Sequence, residues 1–288
     1  MMPGGGEVDV NGEDAAMPVG MDQLTHDLAG ETEALRALLV ELSADDWELA
    51  TPARGWAIRD QVSHLAYFDD SAVRSATDPD GFQEELRRVL ETGELSPDDI
   101  AAGYRDLPAD RLLDWFNGAR ARLISTFAEL DPALRVPWYG PPMSAASSVT
   151  ARLMETWAHG QDVADALGVT RAPTDRLRHV AHIGVRALPF SYLLRGREAP
   201  AAPVRVELTA PGGELWSWGP DGAADLVRGP ALDFCLLVTQ RRHRDDLALE
   251  VAGPVAEEWL SIAQAFAGKP GTGRAPLSES PGGMTSAR

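Results

Sequence analysis

Residues 154–162 read METWAHGQD and lie within a predicted helix that spans about residues 145–167. Apolar side chains cover much of the circumference of this helix, so we expect it to be largely buried in a helical bundle. Glu155 and His159 are four residues apart and therefore share one face of the helix. A buried glutamate needs a partner, and a metal ion held together with His159 would supply one. A plain hydrogen bond between the two side chains is the alternative.

A second segment, residues 63–69 (SHLAYFD), lies within a predicted helix of about residues 57–77. His64 would complete a site of two histidines and one carboxylate. Such a site leaves coordination positions open for water or substrate, as catalytic metal sites do. Taken alone, His64 is more simply explained as a core or surface residue. Asp60, one turn earlier, would either orient a metal-bound imidazole or stabilise the start of its helix.

Two further side chains are candidate catalytic residues. Asp162 lies one turn beyond His159 and would orient it or act as an acid or base, with an ordinary surface carboxylate as the alternative. Residues 241–244 read RRHR and follow an apolar helix predicted over about residues 230–241. Positive charges suit the C-terminal end of a helix dipole, and this alone could explain the cluster. Alternatively, the cluster binds an anionic substrate through Arg241 or Arg242, because a planar guanidinium binds a carboxylate through two hydrogen bonds.

The hydrophobic spacing changes once along the chain, near residue 195. Helical periodicity dominates before this point, and two-residue alternation begins after it, at residues 204–208. Further helices are predicted over about residues 21–42, 80–92, 108–130, 175–195 and 254–266, and further strands over about residues 214–218, 224–227 and 247–251. The pattern predicts an α+β fold, with a four-helix bundle in residues 19–197 and a small α+β domain in residues 198–267.

Composition limits the classes of partner. The chain has 288 residues, 44 of them acidic and 26 basic, with a formal net charge of −18. This charge would repel the phosphates of nucleic acids and of anionic membranes, so we expect neither as a partner. The one cysteine, Cys235, lies in an apolar run, so no intrachain disulfide can form and we expect a buried thiol.

Nothing in the sequence indicates membrane insertion or export. No apolar run approaches the roughly 20 residues that cross a bilayer. Residues 1–18 lack the basic start and apolar stretch of a signal peptide. We therefore expect a cytoplasmic protein, either a monomer or a homodimer, with disordered tails at residues 1–18 and 268–288.

Residues 51–65 (TPARGWAIRDQVSHL) and 155–162 (ETWAHGQD) resemble the two motifs of the DinB-like, mycothiol-dependent maleylpyruvate isomerase family. The resemblance extends over about residues 20–267. It implies a DinB-like four-helix bundle that binds a divalent metal, usually zinc. By motif position, the implied metal ligands are His64, Glu155 and His159.

The same resemblance implies thiol chemistry. Members of the family use the metal to activate a small thiol, mycothiol, for isomerisation or S-transfer. An arginine after the apolar helix of the C-terminal domain is implicated in some members, and Arg241 is its nearest match. Residues 239–242 read TQRR here, which departs from the more usual Trp-Gly-Arg pattern.

The sequence therefore predicts a metal-dependent transferase or isomerase. Zinc is the expected metal, and mycothiol or a similar small thiol is the expected cosubstrate. The expected substrate is a small molecule, which an arginine would bind if it is anionic. A second hypothesis keeps the metal without the thiol and gives a lyase, hydrolase or cyclising enzyme of a biosynthetic pathway. A third is a non-catalytic protein that binds a metal or a small molecule.

Overall fold

The computed structural model describes residues 20–92 and 96–279 of the chain. Within these residues the helices are α1 (Met21–Leu39), α2 (Ile58–Thr77), α3 (Pro79–Thr92), α4 (Pro97–Ala102), α5 (Ala109–Ala128), α6 (Ala145–Leu167), α7 (Leu177–Arg186), α8 (Leu188–Leu193), α9 (Ala231–Val238) and α10 (Pro254–Ile262). The strands are β1 (Arg135–Val136), β2 (Met143–Ser144), β3 (Val204–Thr209), β4 (Leu215–Trp218), β5 (Asp225–Pro230) and β6 (Glu250–Ala252). This order confirms the predicted α+β fold.

The helices α1, α2, α5 and α6 form the predicted bundle. Both α1 and α2 pack against α5 and α6. The longest helix, α6, has the bounds predicted from the sequence. Ser144 begins it, since its hydroxyl accepts a hydrogen bond from the Ser147 amide at 3.1 Å. Gly168 ends it in the left-handed conformation, with φ of 67°. No described helix has the combination of length and apolar character that a membrane span requires.

One buried ion cluster joins all four bundle helices. Asp69 of α2 accepts a hydrogen bond from Nε of Arg120 on α5 at 2.7 Å and from Nε of Arg152 on α6 at 3.0 Å. Nη1 of Arg120 also donates to the hydroxyl of Thr32 on α1, at 2.6 Å. All of these side chains are almost completely buried. The cluster therefore fixes the relative positions of the helices that carry the predicted site.

The second domain is built on a four-stranded mixed sheet in the order β4-β3-β5-β6. Strands β3 and β5 are parallel, and the two outer pairs are antiparallel. Helix α9 packs against α7, and α10 packs against α8. Buried residues of the sheet and of the bundle belong to one continuous apolar cluster. The small domain is thus attached to the bundle through a shared core.

Several elements differ from the sequence prediction. The helix predicted over 175–195 is divided into α7 and α8, because Pro189 has no amide hydrogen and is accommodated only in the first turn of a helix. Helices α9 and α10 end at Val238 and Ile262, earlier than predicted. Helix α4 and the β1–β2 hairpin were not predicted, since such short elements contain too few residues to show a period.

The segment after α10 also differs from the expectation of a disordered tail, as far as residue 279. Nη2 of Arg195 donates to the carbonyl of Gly271 at 3.2 Å, and the Gly271 amide donates to Oε1 of Gln264 at 2.9 Å. The Leu277 amide donates to the Asp246 carboxylate at 3.0 Å. Composition indicated disorder, but these contacts are made with distant residues, which composition does not reveal. The predicted tail at 1–18 and residues 280–288 lie outside the described residues.

Two helical glycines give a matched test of packing between the two domains. A Cβ atom on Gly184 of α7 would lie 2.7 Å from Cγ2 of Val238 on α9, whereas one on Gly118 of α5 would meet only the flexible end of Arg122, at 3.3 Å. We expect Gly184→Ala to lower the free energy of unfolding by about 1–3 kcal/mol through overpacking. Gly118→Ala should leave it unchanged or raise it by up to about 1 kcal/mol through helix propensity.

Chemical denaturation of the wild type and both variants measures the difference. Equal stability of the Gly184 and Gly118 variants would contradict the inferred close approach of α7 and α9.

Candidate metal centre

The three predicted metal ligands come together at one point. Nε2 of His159 lies 3.1 Å from Oε2 of Glu155, and Nε2 of His64 lies 3.6 Å from the same oxygen. One ligand atom from each side chain lies within 4.8 Å of the other two. Ligand atoms around a tetrahedral zinc ion are separated by roughly 3.3 Å, given bond lengths near 2.0–2.1 Å. The cluster therefore has the dimensions of a three-ligand metal site.

A chain of hydrogen bonds fixes the tautomer of His159. The Thr51 hydroxyl donates to the carbonyl of Trp56 at 2.9 Å and accepts from Nε2 of Gln61 at 2.8 Å. The other end of the Gln61 amide, Oε1, therefore accepts from Nδ1 of His159, at 2.5 Å. In an imidazole that carries its proton on Nδ1, Nε2 has the lone pair, and here Nε2 faces the Glu155 carboxylate. Two acceptors face each other, and a cation between them would satisfy both.

The protonation states also suit a metal. Burial, reinforced by the nearby His159, lowers the pKa of His64 to about 4, so its imidazole is neutral at pH 7. Burial acts to raise the pKa of Glu155, but the closeness of His159 and His64 to its carboxylate outweighs burial and holds this pKa well below the usual value. A neutral imidazole and an ionised carboxylate are the forms that coordinate metals.

Aromatic rings surround the histidines and exclude water from one side. The Trp56 ring stacks on His159 with 6.0 Å between centroids and 16° between planes. The Phe68 ring lies 4.7 Å from the ring of His64. Trp56 is itself fixed from α4, since its Nε1 donates to Asp98 at 2.7 Å. The unpredicted helix α4 thus supports the predicted site.

The other side of the cluster opens into a cavity of about 520 Å³ between the bundle and the second domain. Its walls are mainly apolar, and they include Phe68, Trp138, Phe190 and Phe266. Cationic side chains also line it: Arg152 from the bundle, Arg241 from the turn after α9, and Lys269 from the C-terminal segment. This volume accommodates a small organic molecule next to the three ligands.

The two predicted catalytic residues, Asp162 and Arg241, lie together as an ion pair. Nη2 of Arg241 donates to Oδ2 of Asp162 at 2.8 Å. Arg274, from the C-terminal segment, binds the other oxygen of this buried carboxylate and also pairs with Asp165. Both carboxylate oxygens of Asp162 are therefore engaged by guanidinium groups, while Arg241 reaches the cavity.

The positions of Asp60 and Cys235 bear on the roles predicted for them. Asp60 accepts the Ala57 amide at 2.8 Å and pairs with Arg105 at 2.9 Å, so of its two proposed roles the structure favours stabilisation of the helix start. Cys235 is buried away from the cavity, and burial raises the pKa of its thiol well above the usual value. A buried neutral thiol does not serve as a nucleophile.

Sequence reasoning missed four residues of this region: Thr51, Gln61, Arg152 and Arg274. Gln61 lies three residues before His64 on α2, so helical spacing could have placed it on the same face. Arg152 lies three residues before Glu155, with the same signal. No local pattern marks Thr51 or Arg274, since the loop and the C-terminal segment reach the site only through tertiary contacts.

Comparison with known proteins shows the family of the chain. The family described as the mycothiol maleylpyruvate isomerase N-terminal domain matches residues 28–164. Two uncharacterized proteins of Mycobacterium tuberculosis, MT0041 of strain CDC 1551 / Oshkosh and Rv0036c of strain H37Rv, are each 47% identical over 249 residues. The alignment covers 86% of this chain and 96% of either relative. The chain belongs to the DinB-like, mycothiol-dependent maleylpyruvate isomerase family. The resemblance seen in the two sequence motifs is thereby confirmed.

Solved structures extend the family likeness to the whole fold. Crystal structures of a mycothiol-dependent maleylpyruvate isomerase and of a histidine-to-alanine mutant match with TM-scores of 0.54 and 0.53. Sequence identity is 16%, and the match covers 81% of this chain and 93% of either structure. At this identity the likeness concerns the fold alone.

A second family, described as wyosine base formation, matches residues 200–250. This segment begins before β3 and ends at the start of β6, and it includes Arg241 but none of the three clustered ligands. The match covers a small part of the chain and carries no functional assignment.

The Gln61–His159 hydrogen bond can be tested directly. Replacing Gln61 with leucine removes the acceptor that fixes the imidazole, and loss of such a group typically weakens metal binding by about 10–100-fold. Competition with a chromogenic chelator would measure the affinity. Gln23→Leu is the matched control, because Gln23 hydrogen-bonds only with Asp27 at the exposed surface of α1 among the described residues. Equal affinities in the two variants would show that Gln61 does not orient His159.

Proposed function

We propose that this protein is a metal-dependent enzyme, a transferase or isomerase that uses mycothiol or a similar small thiol as cosubstrate. His64, Glu155 and His159 would hold the metal, with zinc as the expected ion. The observation that carries the proposal is the convergence of these three ligand atoms on one wall of a cavity of about 520 Å³. Family membership supports the thiol, since the similar solved structures are named as mycothiol-dependent.

The chemistry follows from an open coordination position. A divalent metal held there would lower the pKa of a bound thiol and keep it as the nucleophilic thiolate at neutral pH. The apolar walls would exclude water from the reacting atoms, which strengthens every electrostatic contact within the cavity.

The protein's own side chains would orient the metal ligands and the substrate. In this proposal Gln61 keeps the lone pair of His159 on Nε2, and Arg241 binds an anionic group of the substrate. Asp162 acts as a positioning residue for Arg241, because each of its two oxygens is paired with an arginine.

Metal analysis of the purified protein tests the site. We expect about one equivalent of zinc per chain in the wild type, because three ligand atoms from two helices converge without rearrangement. His159→Ala and Glu155→Gln should each lose most of it. His26→Ala is the control, since His26 is exposed on α1, and it should retain the wild-type content. Absence of metal in the wild type, or unchanged content in His159→Ala, would contradict the proposal.

The thiol is tested separately and without a known substrate. Cobalt(II) exchanged into the site should give a sulfur-to-cobalt charge-transfer absorption band when mycothiol is added, because the thiolate would occupy the open position. The band should be absent from Glu155→Gln. If the cobalt-loaded wild-type protein shows no band, the proposal of a thiol cosubstrate is wrong, and a thiol-independent lyase or hydrolase is favoured. An assay of maleylpyruvate conversion with and without mycothiol would then distinguish a maleylpyruvate isomerase from a thiol transferase.

A further inference from the structure

The buried ion cluster around Asp69 carries more positive than negative charge. Arg120 and Arg152 share its single carboxylate. In each arginine, Nη2 is buried and has no hydrogen-bond partner in residues 20–92 and 96–279. Glu31, which also acts on Arg120, is already paired with two other arginines. An unpaired buried cation is costly, because it has lost its hydration without gaining a counter-charge.

The two arginines differ in what they face. Arg120 points into the bundle, where Nη1 donates to Thr32 at 2.6 Å. Arg152 lines the cavity, and so does Ser148, one turn earlier on the same face of α6. Glu155 follows Arg152 by three residues on this face. Arg152 is therefore the cationic member of the cluster that lines the cavity, and it does so beside His64, Glu155 and His159.

We propose that Arg152 binds a carboxylate of the substrate at the floor of the cavity, with the Ser148 hydroxyl as a second donor. This inference rests on the proposed function, since it names the chemistry of a substrate for that site. The subsite is separate from Arg241, which enters the cavity from the second domain. Arg152 and the three clustered side chains line the same cavity, so a carboxylate bound to Arg152 would hold the rest of the substrate in the cavity that they share.

Charge and surroundings favour a carboxylate over other ligands. One negative charge neutralises the surplus in the cluster, whereas a phosphate monoester would bring nearly two. The walls around the subsite are mainly apolar and suit an organic acid better than a strongly hydrated inorganic anion. A neutral ligand would bring no second negative charge to the two arginines that share Asp69.

A purely structural role is the competing explanation. Arg152 also holds Asp69, and through it α2 and α6. Arg120 offers a matched control, because it shares the same carboxylate without lining the cavity. Replacing either arginine with methionine leaves Asp69 with one guanidinium partner, so the cluster becomes charge-balanced in both variants. Both should therefore fold.

The test is isothermal titration of the full-length protein, as purified, with benzoate, with benzamide as the neutral isostere, and with inorganic phosphate. We expect the wild type to bind benzoate in preference to the other two. Arg152→Met should weaken benzoate binding by about tenfold or more, as expected for a lost charged hydrogen bond. Arg120→Met should change it by less than about threefold. Arg152→Lys, which keeps the charge but not the planar fork, provides a second measurement if the methionine variant does not fold, and it should also weaken binding.

The outcomes separate the alternatives. Equal losses in the Arg152 and Arg120 variants, or no benzoate binding in the wild type, would overturn the inference. Benzoate binding that disappears with a chelator but persists in Arg152→Met would also overturn it, because the metal would then be the anion site. If the wild type contains no metal but still binds benzoate through Arg152, the proposed function fails and the carboxylate subsite stands.

Discussion

The shared carboxylate of Asp69 is the constraint on which the rest of this structure depends. It brings Arg120 and Arg152 together in the core, and Arg120 extends the contact to Thr32. Four helices that also pack through apolar side chains are thereby fixed at one level along the bundle. Apolar contacts tolerate sliding, but a buried ion pair with defined hydrogen bonds does not, because a shift would leave charges unpaired.

The position of the ion cluster along the bundle also determines the geometry of the ligand cluster. Asp69 follows His64 on α2, and Arg152 precedes Glu155 on α6, so the ion cluster sets the register in which the two helices face each other. The histidine and the carboxylate must approach within a few ångströms before a metal can bind. The protein meets this requirement with charged groups in its interior, and one of them, Arg152, also reaches the cavity.

The sequence predicted the long elements because their periodicity is local. Helix α6 was placed correctly, since its periodicity extends over many turns, and four-residue spacing places Glu155 and His159 on one of its faces. His64 lies on another helix, and it was added because a metal site needs a third ligand and because the two motifs resemble those of the family. Prediction was weakest where contacts join distant segments. The C-terminal segment depends on contacts of this kind. The break before Pro189 and the short helix α4 were missed for local reasons, a proline within the periodic pattern and an element too short to show a period. Arg152 shares a helical face with Glu155, but only the structure shows that its partner is the carboxylate of Asp69.

The C-terminal segment has a consequence for the order in which the site is completed. Chains fold from the N-terminus as they are synthesised, so the bundle with all three ligands is finished once α6 has emerged. Arg241 and Arg274 follow α6 in the chain and reach Asp162 only after this helix has been made. The three clustered side chains therefore come together before the wall that faces them is added.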